Sequence, residues 1–91
     1  MTHTIWKTIL APTDMQEIDV PEGAELLTVR EQHEQICLWF RCNPSNDLKK
    51  RQIVICGTGH SIPEGFRYPY VGTAFLDGGQ LVFHIFASSI R

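Results

Sequence analysis

The sequence lacks an excess of either charge. Across 91 residues, eight basic side chains face ten acidic ones, giving a net charge of −2 and a pI near 6.0. Domains that hold nucleic acid through its phosphates carry a basic excess as their electrostatic footprint, so general nucleic-acid binding is not expected. There is no apolar run of about 20 residues, the length that crosses a bilayer as a helix. The opening Met1-Thr-His-Thr-Ile-Trp-Lys7 lacks the charged and apolar blocks of a signal peptide, so the expectation is a cytoplasmic protein without a membrane partner. Cysteine is scarce: Cys37, Cys42 and Cys56 are odd in number and form no CxxC pair. That usage fits reduced thiols better than a cystine framework. A structural zinc site draws four close-paired ligands, whereas Cys37, Cys42, Cys56, His60 and His84 are scattered singles, so neither a metal nor another cofactor is expected.

What is present is an ordinary globular composition, 43% hydrophobic and 20% charged with a mean hydropathy of −0.10. A mass of 10.4 kDa leaves room for a single domain over residues 1–91. Period-two alternation recurs in short runs separated by breakers, which predicts an all-β fold, a small antiparallel sandwich or barrel of about seven strands. The runs cover residues 4–10, 16–20, 25–31, 36–42, 52–56, 71–76 and 80–86. Pro21-Glu22-Gly23 reads as a type I turn, and Gln32-His33-Glu34-Gln35 as the tip of a hairpin. Asp77-Gly78-Gly79 is a strong hairpin signal between the last two strands. The run 36–42 is apolar on nearly both faces, as a central or covered strand would be. Lys49-Lys50-Arg51 reads as the solvated end of a loop.

Residues 57–70 form a stretch too long and too rich in glycine and proline for a hairpin turn, and long structured loops in compact domains are disproportionately functional. Within it, the glycines of Gly57-Thr58-Gly59-His60 would let backbone N–H groups approach an anion, with Thr58 and His60 adding side-chain donors. The competing reading, which the absence of a Gly-x-Gly-x-x-Gly or Walker pattern favours, is that both glycines serve backbone geometry and His60 is an exposed or locally bonded loop residue. His60, Arg67, Tyr68 and Tyr70 combine a cation, aromatic faces and hydroxyls, the set a nucleotide-like ligand would use for phosphate pairing, stacking and hydrogen bonding. The alternative is that Phe66, Tyr68 and Tyr70 anchor the loop while Arg67 faces water. Cys56 sits in an apolar run and reads as core rather than as a nucleophile. His84 interrupts an apolar strand and needs a hydrogen-bond partner if buried. Trp6 and Trp39 read as packing or interface anchors.

Several blocks together carry a resemblance: Ile5-Trp6-Lys7, Pro21-Glu-Gly-Ala24, Cys37-Leu-Trp39, Gly57-Thr-Gly-His60 with Ile62-Pro63, Gly72-Thr73, and Gly78-Gly-Gln-Leu-Val-Phe-His84. Over almost its whole length the chain resembles a family of small, uncharacterised phage and prophage proteins. The resemblance implies expression in a bacterial host cytoplasm and a class of role, the binding or blocking of host components.

A small domain with exposed strand edges gains from symmetric association, so a homo-oligomer, most simply a dimer, is expected, with a pocket formed between subunits. The functional expectation is a non-enzymatic accessory protein that binds a small anionic, nucleotide-like molecule, for instance a host immune signal, without catalytic residues. Thr58, His60, Arg67, Tyr68 and Tyr70 would form its site. The alternative is an interaction module that engages a host protein or virion component through Trp39, an apolar strand or an open sheet edge. A third class, a small hydrolase or lyase, would need His60 with Glu64 or Asp77.

Overall fold

The computed structural model describes residues 2–62 and 67–88, and Glu64, Pro63 and Phe66 lie outside that set. Seven strands form in chain order: β1 (Thr4–Leu10), β2 (Met15–Pro21), β3 (Glu25–Gln32), β4 (Gln35–Cys42), β5 (Leu48–Gly57), β6 (Tyr70–Leu76) and β7 (Leu81–Ala87). They build two antiparallel sheets packed as a sandwich, β1-β4-β3 (sheet A) and β2-β5-β7-β6 (sheet B). The all-β expectation holds, and of its two forms the sandwich is the one adopted. Among the described residues no helix is long and apolar enough to cross a membrane.

Alternation decides which side chains meet between the sheets. Ile36, Leu38 and Phe40 point inward from β4, Ile18 and Val20 from β2, Ile53 and Ile55 from β5, and Ile85 and Ala87 from β7. Ile36, Leu38, Ile53 and Ile85 are almost wholly buried, and each contributes about 2 kcal/mol of transfer free energy. The run 36–42 is indeed central, flanked by β1 and β3 in sheet A. Its outward Cys37 is buried and its Trp39 half-buried, with the Lys7 ammonium 6.0 Å from the Trp39 ring centre. At the corner where β3 meets β6, Gly72 lies so close to Val29 that an added Cβ would stand 3.3 Å from both its Cβ and its backbone nitrogen.

The turns follow backbone chemistry. His33 and Glu34, both at positive φ (55° and 62°), make the two-residue tip between β3 and β4. Ala24 donates to Pro21 O at 3.0 Å with Gly23 at φ 83°, and a positive φ at the third residue makes this a type II turn rather than type I. Between β6 and β7, Gly78 and Gly79 both take positive φ while Gln80 donates to Asp77 O at 3.1 Å, which is the hairpin the sequence predicts. Lys49, Lys50 and Arg51 do not end a loop. They belong to β5, which is ten residues long, because alternation continues upstream through Arg51 to Lys49. Lys50 faces outward to Asp19 at 2.9 Å, whereas Arg51 turns inward.

Candidate functional site

The outward face of sheet B carries several apolar side chains, and a polar chain crosses it. β5 contributes Val54 and Cys56, both buried although they stand outside the core cluster, and β7 contributes Val82, His84 and Phe86. β6 adds Tyr70, Thr73 and Phe75. In register, Cys56 lies opposite His84, and Thr73 lies opposite His84 on the other side. The imidazole is therefore flanked by a buried thiol and a hydroxyl.

Both ring nitrogens of His84 are engaged. Thr58 Oγ1 is 2.8 Å from Nε2, and Thr73 Oγ1 is 3.1 Å from Nδ1. Tyr70 OH extends the chain, 2.6 Å from Thr73 Oγ1, and its ring meets Phe86 edge-on at 5.7 Å. Hydroxyls rotate to donate or accept, so this chain is satisfied with His84 neutral or charged. With both ring nitrogens protonated, His84 donates to Thr58 and Thr73, Thr73 donates on to Tyr70, and the hydroxyls of Thr58 and Tyr70 are left to donate outward. Two hydroxyl donors among exposed aromatic faces, Tyr70 at 59% and Phe75 at 57% exposure, can bind an anion and stack against a ring.

The sequence-predicted residues distribute unevenly around this face. Thr58 and Tyr70 belong to the chain. Tyr68 bonds through its hydroxyl to the Gln52 amide oxygen, which ties that residue to β5. Pro69 helps by accepting from the Ala87 N–H at 3.0 Å. Arg67 is exposed beside them. His60 folds back over Gly57, where an added Cβ would lie 2.9 Å from the imidazole. Gly57-Thr58-Gly59-His60 is a type II turn, with Gly59 at φ 88° and the His60 N–H donating to Gly57 O at 3.0 Å. Thr58 N–H goes to Val82 O at 3.2 Å, and the side chains of Thr58 and His60 are both exposed on this turn. Phe66 and Glu64 lie outside the described residues.

Sequence reading passed over Thr73 and did not join His84 to Thr58, which stands 26 residues away in the chain. The available signal was alternation: on β6 and β7, Thr73 and His84 are polar interruptions on outward positions of adjacent strands. Trp6 and Trp39 do pack, Trp6 edge-on against Phe40 at 6.3 Å. Cys56 is buried as expected. Burial also raises the Cys42 thiol above its ordinary value. Among the described residues, no three His, Cys, Asp or Glu side chains gather as metal ligands would.

A family model described as a domain of unknown function, DUF7352, matches residues 1–90. The chain belongs to the DUF7352 family. No curated protein and no solved structure matches it. For this DUF7352 chain the outward face of sheet B, where a hydrogen-bonded histidine sits among exposed aromatic rings, is the candidate site.

Proposed function

We propose that the protein is a non-enzymatic binding protein for a small anionic, nucleotide-like ligand, held on the outward face of sheet B. The observation that supports this most is the chain Thr58, His84, Thr73, Tyr70, which gathers hydroxyl and imidazole donors between exposed aromatic faces. Arg67, exposed near Tyr68, adds a cation suited to a phosphate. In this reading the protein is phage-encoded, acts in the host cytoplasm, and removes a signal molecule by binding it intact. A second copy covers part of the same apolar face and closes the pocket, because a face carrying Met15, Tyr70 and Phe75 in the open is a poor surface for a monomer.

Equilibrium dialysis against a defined mixture of mono-, di- and cyclic nucleotides tests the proposal. One or more should be retained and recovered unchanged, with retention lost in His84→Phe and reduced in Arg67→Ala while the fold survives. No retention by a folded protein contradicts the reading. Recovery of a cleaved product points instead to Thr58 acting as a nucleophile with His84 as its base.

A second reading, a protein-interaction module, is favoured by one observation. Edge strand β1 exposes Ile5, Trp6 and Ile9, while its only charge, Lys7, is turned back across the sheet to Gln32 Oε1 at 2.6 Å. A mostly apolar edge strand with a single charge can accept another strand. Pull-down of one stoichiometric host protein, lost in Ile9→Lys, would support this reading over the first.

A further inference from the structure

We infer that the hollow around Arg51 is an oxyanion pocket, taking a phosphate or carboxylate group where the start of β3 meets the start of β6. This goes beyond the function proposed above: it uses none of Thr58, Thr73 or His84 and shares Tyr70 alone with that chain. Arg51 faces inward from β5 and is half-buried. Its Nε donates to Ser88 O at 2.5 Å and its Nη1 to Ala24 O at 3.2 Å. A guanidinium has five N–H donors, so these two bonds orient the fork and leave further donors, including those on Nη2, for another acceptor.

No described carboxylate takes that role. The ion pairs among the described residues are Arg41 with Glu25 at 2.5 Å and Lys50 with Asp19 at 2.9 Å. Glu25 borders the same hollow, yet its carboxylate is held by Arg41. Arg51 therefore faces a space of about 410 Å³ walled by Leu26, Leu27, Pro69, Tyr70 and Val71, and among the described residues its hydrogen-bond partners are two carbonyl oxygens. Withdrawing an unpaired charge from water is unfavourable, and a fixed guanidinium fork matches a phosphate or carboxylate through two parallel hydrogen bonds. The burial that creates this demand also pulls the Arg51 guanidinium below its ordinary value. The volume admits the oxyanion together with a small organic group.

The test is a titration of the ¹⁵N-labelled full chain with inorganic phosphate and, separately, sodium acetate, at ionic strength held constant with sodium chloride. The Arg51 Nε–H signal and the amides of Leu26, Leu27, Tyr70 and Val71 should shift and saturate with at least one of the two anions. Whichever saturates identifies the oxyanion, and Arg51→Lys should weaken the saturation about tenfold by removing the fork. Arg51→Gln should abolish it, whereas His84→Phe should leave it unchanged. Shifts that never saturate with either anion, that saturate while the Arg51 signal stays still, or that persist in Arg51→Gln would overturn the inference. Should Arg51→Gln lose its dispersed spectrum, the wild-type shift map and Arg51→Lys decide the matter.

Discussion

Thr73 joins the half-buried His84 to the exposed Tyr70, since its hydroxyl meets both His84 Nδ1 and Tyr70 OH. Thr73→Val keeps the shape and removes the hydroxyl, and should lower unfolding free energy by about 1 kcal/mol in a urea titration as well as weaken ligand retention. His33 presents the opposite case. Its φ of 55° is strained for a residue with a Cβ, and Asn tolerates that region better. His33→Asn should therefore raise the urea midpoint slightly, by about 0.5 kcal/mol of stability, without touching the candidate site. Single residues were legible in the sequence by type: Thr58, Tyr70 and His84 each drew attention as polar or aromatic groups in a β-rich chain. Their assembly was not, because the pairing of β6 with β7 and of β7 with β5 places them together, and register is a long-range property. Arg51 was misread for a related reason: beside Lys49 and Lys50 it looks like part of a solvated run, and only the continuation of β5 turns it inward.

Strand β6 is held against β3 by the smallest possible side chain. Gly72→Ala would press its Cβ against the backbone of Val29, which cannot swing aside as a side-chain tip could. It should destabilise the fold by about 1–3 kcal/mol in thermal unfolding, and an unchanged melting temperature would show that the sheets separate easily at that corner. Edge strand β1 gives the converse prediction. Ile9→Lys places a charge on an exposed position, so it should leave monomer stability nearly unchanged and lower any self-association read by sedimentation equilibrium. Strand positions were readable from alternation to within a residue or two except at β5, where charged residues masked the start. Turn type was less readable. The type II geometry at Gly23 depends on which residue occupies the third position of the turn, and Pro21 both closes β2 and stands first in that turn.

At the scale of the whole molecule, two sheets enclose one apolar core and leave further apolar side chains, among them Val54, Phe75 and Phe86, on the outer face of sheet B. The sequence carried the sandwich class through alternation, but not the strand order, since nothing local tells β1 to pair with β4 and β2 with β5. Burial also sets the behaviour of the thiols. All three cysteines are buried and free, so a thiol reagent should react slowly with the native chain and rapidly with all three in denaturant. Cys42 is held neutral by burial, its folded value lying above the ordinary 9.0. Its contribution to stability is thus present at neutral pH and is lost as pH rises past 9.0, where the unfolded thiol ionises first. Unfolding midpoints should accordingly fall on the alkaline side, and Cys42→Ala should flatten that fall. The central claim, that the outward face of sheet B binds an intact anionic ligand, is tested most directly by native mass spectrometry after incubation with a nucleotide-rich bacterial extract. The account predicts an added mass of several hundred daltons per site, released unchanged on denaturation and missing in His84→Phe. A folded wild-type protein that emerges from the extract without added mass would contradict it.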